Sequence, residues 1–241
     1  MVHELIHGRW IEIDELFNCR DVGGFGGVRR GVLYRTDALC NLTDKGREAY
    51  AALGIHTVID LRRQPELDSQ GRAPDWAFKV WCNVPLRERP GPAHDCPDMA
   101  SLPRYMSDVY LNMTETAAPD IVRVLTILAD PATGPAAIHC AGGRDRTGVV
   151  VAVLLAFLGV PENEIALDYH LSERFTQRWL AWKLAESGSV PELPLNLLYA
   201  PEEAMLLLLK RLRERHGSVH AYLLDAGLAP SAMEALRARY L

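Results

Sequence analysis

Apolar positions fall along this chain in short blocks separated by polar or glycine-rich turns. Residues 55–61, IHTVIDL, are β-branched and apolar without clean alternation, which predicts a strand buried on both faces. Gly31 to Arg35, after a glycine-rich turn, reads as a short strand, Phe78 to Val84 as another, and Ala136 to His139 as a fourth. A helix capped by Thr43 or Asp44 is predicted to run to Leu53 and close on Gly54. Others are predicted near 104–113, over 120–129 with Ile121, Val124, Leu125 and Leu128 on one face, and up to the stop made by Gly159 and Pro161. Helices are also predicted over 162–186 and 201–216 and through the last stretch of chain. This order predicts an α/β fold with a mainly parallel central sheet, flanking helices and a helical C-terminal third. One domain over 1–241 is expected. The proline-rich stretch 85–103 is expected to form a lid loop that, with the helix after it, makes an insertion over 85–115.

Composition changes this picture little. The 241 residues are 49% hydrophobic and 24% charged, as in an ordinary globular protein. A net charge of −5 argues against a nucleic-acid binder, yet a local cationic pocket on such a surface still suits an anionic substrate. The cysteines at 19, 40, 82, 96 and 140 are odd in number and form no CxxC pair. Neither a disulfide framework nor a zinc site is expected, and no metal or other cofactor. Cys96, inside the proline-rich stretch, is expected to be the most exposed of the cysteines outside the candidate site. MVHELIHGRW lacks the apolar run of a signal peptide, and Val149 to Leu158 is too short to span a bilayer. The expectation is a cytoplasmic protein without an integral membrane segment, leaderless secretion being left open.

The chemistry is concentrated in one turn, IHCAGGRDRTG at 138–148, between a strand and an apolar helix. Strand, glycine-rich turn and helix together form an anion site, because the helix N-terminus offers unpaired N–H groups and a partial positive charge. Gly142 and Gly143 allow backbone conformations that turn successive N–H groups into one concavity. Alone, Cys140 would read as a small buried hydrophobe. Facing such a ring, it is favoured as thiolate, the nucleophilic form. Arg146 can return across the turn and hold two oxygens of a tetrahedral anion. The implied reaction is phosphoryl transfer to Cys140 followed by hydrolysis of the phosphocysteine.

Cys, five residues, then Arg-Thr, with His before and Gly after, resembles the signature of the cysteine-dependent tyrosine phosphatases. HCAGGRDRTG is similar to the HCxxGKDRTG form of the atypical bacterial tyrosine and dual-specificity phosphatases, and to that of phosphoinositide phosphatases. NCRDVG at 18–23, GVLYRTDAL at 31–39, VIDLR at 58–62, RYMSDVY at 104–110 and the 216–227 segment also resemble that group. The resemblance implies a cysteine-phosphatase-like fold and a phosphorylated protein or phosphoinositide as partner. It implies Cys140 and Arg146 as catalytic residues, and Asp145, fixed in the loop beside Arg146, is favoured as the proton donor. Ala141, Gly142, Gly143, Arg144, Thr147 and Gly148 would bind substrate, the Thr147 hydroxyl also helping the cysteine to leave. His139 reads as a brace, and Asp60 and Arg62 as supporting residues beside the loop. Phe175, Trp179 and Trp182 read as helix core that also suits a substrate groove.

Two departures stand out. Arg144 replaces the usual Lys, and with Arg87 and Arg89 it suggests tolerance of highly anionic substrates. No Asp follows Pro85 where a separate general-acid loop would place one, leaving Asp145, Asp98 or Asp95 as proton donor. A phosphate-recognition module and a rhodanese-type sulfurtransferase are the rival classes. The first usually lacks the Cys or the Arg, and the second uses a shorter loop.

Overall fold

The computed structural model describes residues 8–86, 96, 98–190 and 192–241. Five strands form one sheet in the order β1-β2-β5-β3-β4. They are β1 (Arg20–Asp21), β2 (Leu33–Thr36), β3 (Thr57–Asp60), β4 (Val80–Asn83) and β5 (Ala136–His139). All neighbours run parallel except β1, which pairs antiparallel with β2. Leu33, Ile59, Ala136 and Ile138 enter the larger apolar cluster, while Tyr34, Val58 and Ala137 enter a smaller one. Successive side chains take opposite faces of a strand, so burial on both sides explains the missing alternation.

Eleven α-helices are described: α1 (Arg47–Ala51), α2 (Gln64–Gln70), α3 (Leu102–Thr116), α4 (Ala118–Ala129), α5 (Asp145–Leu158), α6 (Glu162–His170), α7 (Glu173–Ser187), α8 (Leu195–Leu198), α9 (Glu202–His216), α10 (Val219–Asp225) and α11 (Pro230–Tyr240). The α5 helix is apolar nearly all round, as a helix enclosed on all sides must be, and Gly159 closes it at φ +88°. The α9 helix packs along α3 and α6, and α11 packs on α4. Among the described residues no helix is long and apolar enough to cross a membrane.

Several expectations change. The helix expected from Thr43 begins only at Arg47, because the Thr43 N–H and hydroxyl both donate to the Glu15 carboxylate. Gln64–Gln70 is a helix in a stretch where the sequence predicts no element. The single helix expected over 162–186 is two: Arg20 Nη2 donates to the Asp168 carbonyl, and the Ser172 N–H turns back to Tyr169 instead. Most of the expected lid loop lies outside the described residues, and the helix after it packs into the body of the protein. Leu102, Met106, Tyr110, Leu111 and Met113 of α3 are buried in the main core. Cys96 is buried as well, at 8% exposure. Conversely α7 is not core, since Thr176 is its one buried residue.

Candidate active site

The turn after β5 leaves the middle of the sheet, flanked by the chain after β2 and the chain after β3, with Thr36 and Asp60 in register with His139. Three neighbours hold its carbonyls outward. The Ala38 N–H donates to Ala141 O at 2.9 Å, Asn18 Nδ2 to Gly142 O at 2.7 Å, and Arg35 Nη2 to Gly143 O at 2.7 Å. In a trans peptide the next N–H points opposite to each carbonyl, so the N–H groups of Gly142, Gly143 and Arg144 turn inward. Gly143 sits at φ +66°, and a Cβ there would meet the Thr36 carbonyl oxygen at 2.2 Å. No other residue fits that position. Gly148, one turn into α5, lets the Tyr169 ring lie against the helix, 3.1 Å from where a Cβ would be.

The turn's anchors reach far into the protein. Arg35 pairs with Asp168 at 2.5 Å, and Asp168 also receives Arg9 at 2.8 Å and Arg20 at 3.3 Å, all of them buried. Burial alone would raise the Asp168 carboxyl, but the Arg35, Arg20 and Arg9 guanidiniums hold it far below the usual carboxylate range. Asp37 accepts the Phe17 and Asn18 N–H groups, fixing the segment from which Asn18 reaches the turn. Desolvation outweighs those bonds and pushes the Asp37 carboxyl up to about 6. Arg20 therefore belongs to the scaffold beneath the turn, as does Asp21, whose carboxylate accepts the Gly23 and Gly31 N–H groups.

His139 is fully buried, with Nδ1 3.1 Å from the Cys140 carbonyl and Nε2 3.5 Å from Asp60. Burial lowers its proton affinity despite Asp60, so it stands as a neutral brace. Arg62 grips Asp60 in turn, with Nη2 at 2.7 Å. Arg62 thus holds Asp60 beside one ring nitrogen of His139, while the other faces the Cys140 carbonyl.

A cleft of about 620 Å³ opens over the turn. Cys140, Ala141 and Gly142 lie on its floor, Asp145 and Arg146 at one side, and Phe175, Trp179, Leu193 and Leu197 on its walls. Phe175 and Trp179 thus line a groove, whereas Trp182 is 40% exposed and stacks at an angle on Phe17. Arg146 pairs with Glu66 of α2, a residue the sequence reading passes over. The Thr147 hydroxyl is buried with no hydrogen-bond partner among the described residues.

The Arg144 guanidinium does not project toward incoming anions. It is 5% exposed, bonded through Nε and Nη2 to Asp145 and through Nη1 and Nη2 to the carbonyls of Leu197 and Asn196. Its place in the ring is its backbone N–H. Asp145, partly exposed at the cleft, also accepts the Tyr110 hydroxyl at 2.5 Å. Asp98 caps the start of α3 through Ser101 and is not among the residues lining the cleft. Asp95, Arg87 and Arg89 lie outside the described residues.

The chain is similar to "Triple specificity protein phosphatase PtpB" of Mycobacterium tuberculosis, 29% identical over 94% of this chain and 97% of that one. It is also similar to a "Tyrosine-protein phosphatase" of Nostoc commune, 30% identical over 59% of this chain and 49% of that one. The model of the tyrosine phosphatase family matches residues 11–241, so the turn, its anchors and the helices around them all lie within the match, and the chain belongs to that family.

Proposed function

We propose that the protein hydrolyses phosphotyrosine monoesters through a phosphocysteine on Cys140. The observation that carries this reading is the cleft: a thiol on its floor beneath inward N–H groups, Arg146 at its side, and the aromatic walls Phe175 and Trp179 suited to a phenyl ring. A tetrahedral phosphate seated on the ring presents phosphorus to the Cys140 sulfur, and Arg146 neutralises its equatorial oxygens. The sulfur forms the new bond to phosphorus, the ester oxygen leaves, and Asp145 supplies that oxygen with a proton. Water then attacks the phosphocysteine, returning the thiolate and inorganic phosphate. Asp145, now ionised, takes the proton from that water. The unpartnered Thr147 hydroxyl is suited to receive the departing thiolate. Phosphoserine, phosphothreonine and phosphoinositide headgroups are further candidate substrates on the same chemistry.

The direct test is to quench turnover of an aryl phosphate in acid and look for phosphate on Cys140 by mass spectrometry. Wild type should carry the adduct, and Cys140→Ser should show neither turnover nor adduct while still binding phosphate. Sustained turnover by Cys140→Ser would overturn the mechanism.

A further inference from the structure

We propose that Tyr110, backed by Tyr169, is a positioning residue that aims Asp145 for proton delivery to the leaving oxygen. The proposal rests on the reading of Asp145 as proton donor. Tyr110 lies on α3, remote in sequence from the turn, and its hydroxyl is 2.5 Å from Asp145 Oδ1 and 2.7 Å from the Tyr169 hydroxyl. Each phenol carries one proton. An ionised Asp145 can only accept, so the Tyr110 proton lies toward Asp145, and the Tyr169 proton must lie toward Tyr110. Donation into the Tyr110 oxygen polarises its own O–H and strengthens the bond to the carboxylate. The two rings meet edge to face, with centroids 5.8 Å apart, and both are buried, so packing fixes the direction of the chain.

The remaining groups around Asp145 act in the same sense. Arg144 Nε is 3.1 Å from Oδ1 and Arg144 Nη2 is 3.0 Å from Oδ2. From the turn Arg144 faces it, from its own helix Arg146, from α3 Tyr110, and from α6 Tyr169. Burial would raise its carboxyl, but Arg144, the Tyr110 bond and Arg146 together lower it. A carboxyl lowered this way is the stronger donor while it holds its proton, but the fraction that holds it falls as pH rises through a point below the usual carboxylate range. Its ionisation in the free enzyme appears as the alkaline limb of kcat/KM. The Tyr110 hydroxyl bonds the ionised carboxylate more strongly than the protonated acid, so removing it must move the limb to higher pH. A Tyr110 that merely filled space would lower activity by one factor at every pH.

The experiment measures kcat/KM for phenyl phosphate against pH for wild type, Tyr110→Phe, Tyr169→Phe and Asp145→Asn of the whole chain. Asp145→Asn should lack the alkaline limb. Tyr110→Phe should carry it at higher pH, and Tyr169→Phe should move it the same way by less. A limb absent in Asp145→Asn but unmoved in Tyr110→Phe overturns the proposal and leaves Asp145 as the acid. A limb that persists in Asp145→Asn overturns both readings. If Tyr110→Phe fails to fold, Tyr169→Phe decides, because it leaves the Tyr110 hydroxyl in place, and an unmoved limb there overturns the proposal.

Discussion

Glu66 grips Arg146 through both carboxylate oxygens, each 2.7 Å from a different terminal nitrogen of the guanidinium. Burial would raise the Glu66 carboxyl, but the Arg146 bonds and the Arg63 N–H bring it down to about 2. A carboxyl lowered on folding contributes stability above its unfolded value of roughly 4.3 and loses it as pH falls toward 2. Glu66 therefore stays charged throughout any ordinary assay, and Arg146 stays aimed. Glu66→Gln keeps the size and removes the charge. It should lower kcat/KM for an aryl phosphate about tenfold, the worth of one hydrogen bond to a charged group. A wild-type value would mean that Arg146 is oriented without the Glu66 charge.

Glu66 was also legible in principle. Pro65 ends the apolar strand pattern and so reads as a stop, yet proline equally suits the first turn of a helix. Glu66 follows at the third helical position, where its side chain accepts the Arg63 N–H at 2.9 Å. The turn at 138–148 was legible because its chemistry is contiguous. Its anchors were not: Asn18 and Arg35 reach it from distant segments, Arg35 held in turn by Asp168, and no local period records that. The exposure of α7 was hidden for a related reason. Its aromatic residues look like core, but Phe175 and Trp179 face a cleft.

The two central glycines of the turn should differ sharply on substitution. Gly143→Ala places a methyl group against the Thr36 carbonyl at a positive φ, so either the turn or β2 must shift. A misplacement on the order of 1 Å in such a site costs about 10²-fold in rate. At Gly142 a Cβ would meet only the Phe175 ring edge, at 3.1 Å, and that side chain can move. Gly142→Ala should keep most activity. Steady-state kinetics on one aryl phosphate compares them, and equal losses would contradict this account of the turn.

Arg144 should not select among anions. Asp145 and two backbone carbonyls occupy its guanidinium, so Arg144→Gln should lower kcat/KM by a similar factor on a phosphotyrosine peptide and on a phosphoinositide. A markedly larger loss on the phosphoinositide would show that the side chain leaves these partners to meet substrate.

Asp168 neutralises part of a buried cluster of Arg9, Arg20 and Arg35. Asp168→Asn leaves those guanidiniums without their shared anion, and removing one partner of a buried ion pair costs about 3–5 kcal/mol. Denaturant unfolding should show a loss of that size. Because folding lowers this carboxyl, the stabilisation is complete above an unfolded value of roughly 3.9 and is lost only in strong acid. Wild type and variant should thus differ by a constant amount across neutral pH. A difference that vanished at pH 7 would place the charge balance elsewhere.

The proton donor is tested most sharply by the leaving group. A nitrophenolate departs almost unaided, whereas the phenolate of tyrosine gains from a proton and the alkoxide of serine requires one. If Asp145 supplies it, Asp145→Asn should cost little on nitrophenyl phosphate and about 10²–10⁴-fold on the poorest leaving groups. The loss should therefore grow steadily along a series of aryl and alkyl phosphates of rising leaving-group pKa. Asp145 also binds Arg144 and Tyr110, so the substitution disturbs the turn as well. That disturbance acts before any ester bond breaks and must lower every rate by the same factor. The slope along the series isolates proton transfer from it. A parallel loss on all substrates would reduce Asp145 to a structural partner of Arg144 and require the proton to come from elsewhere.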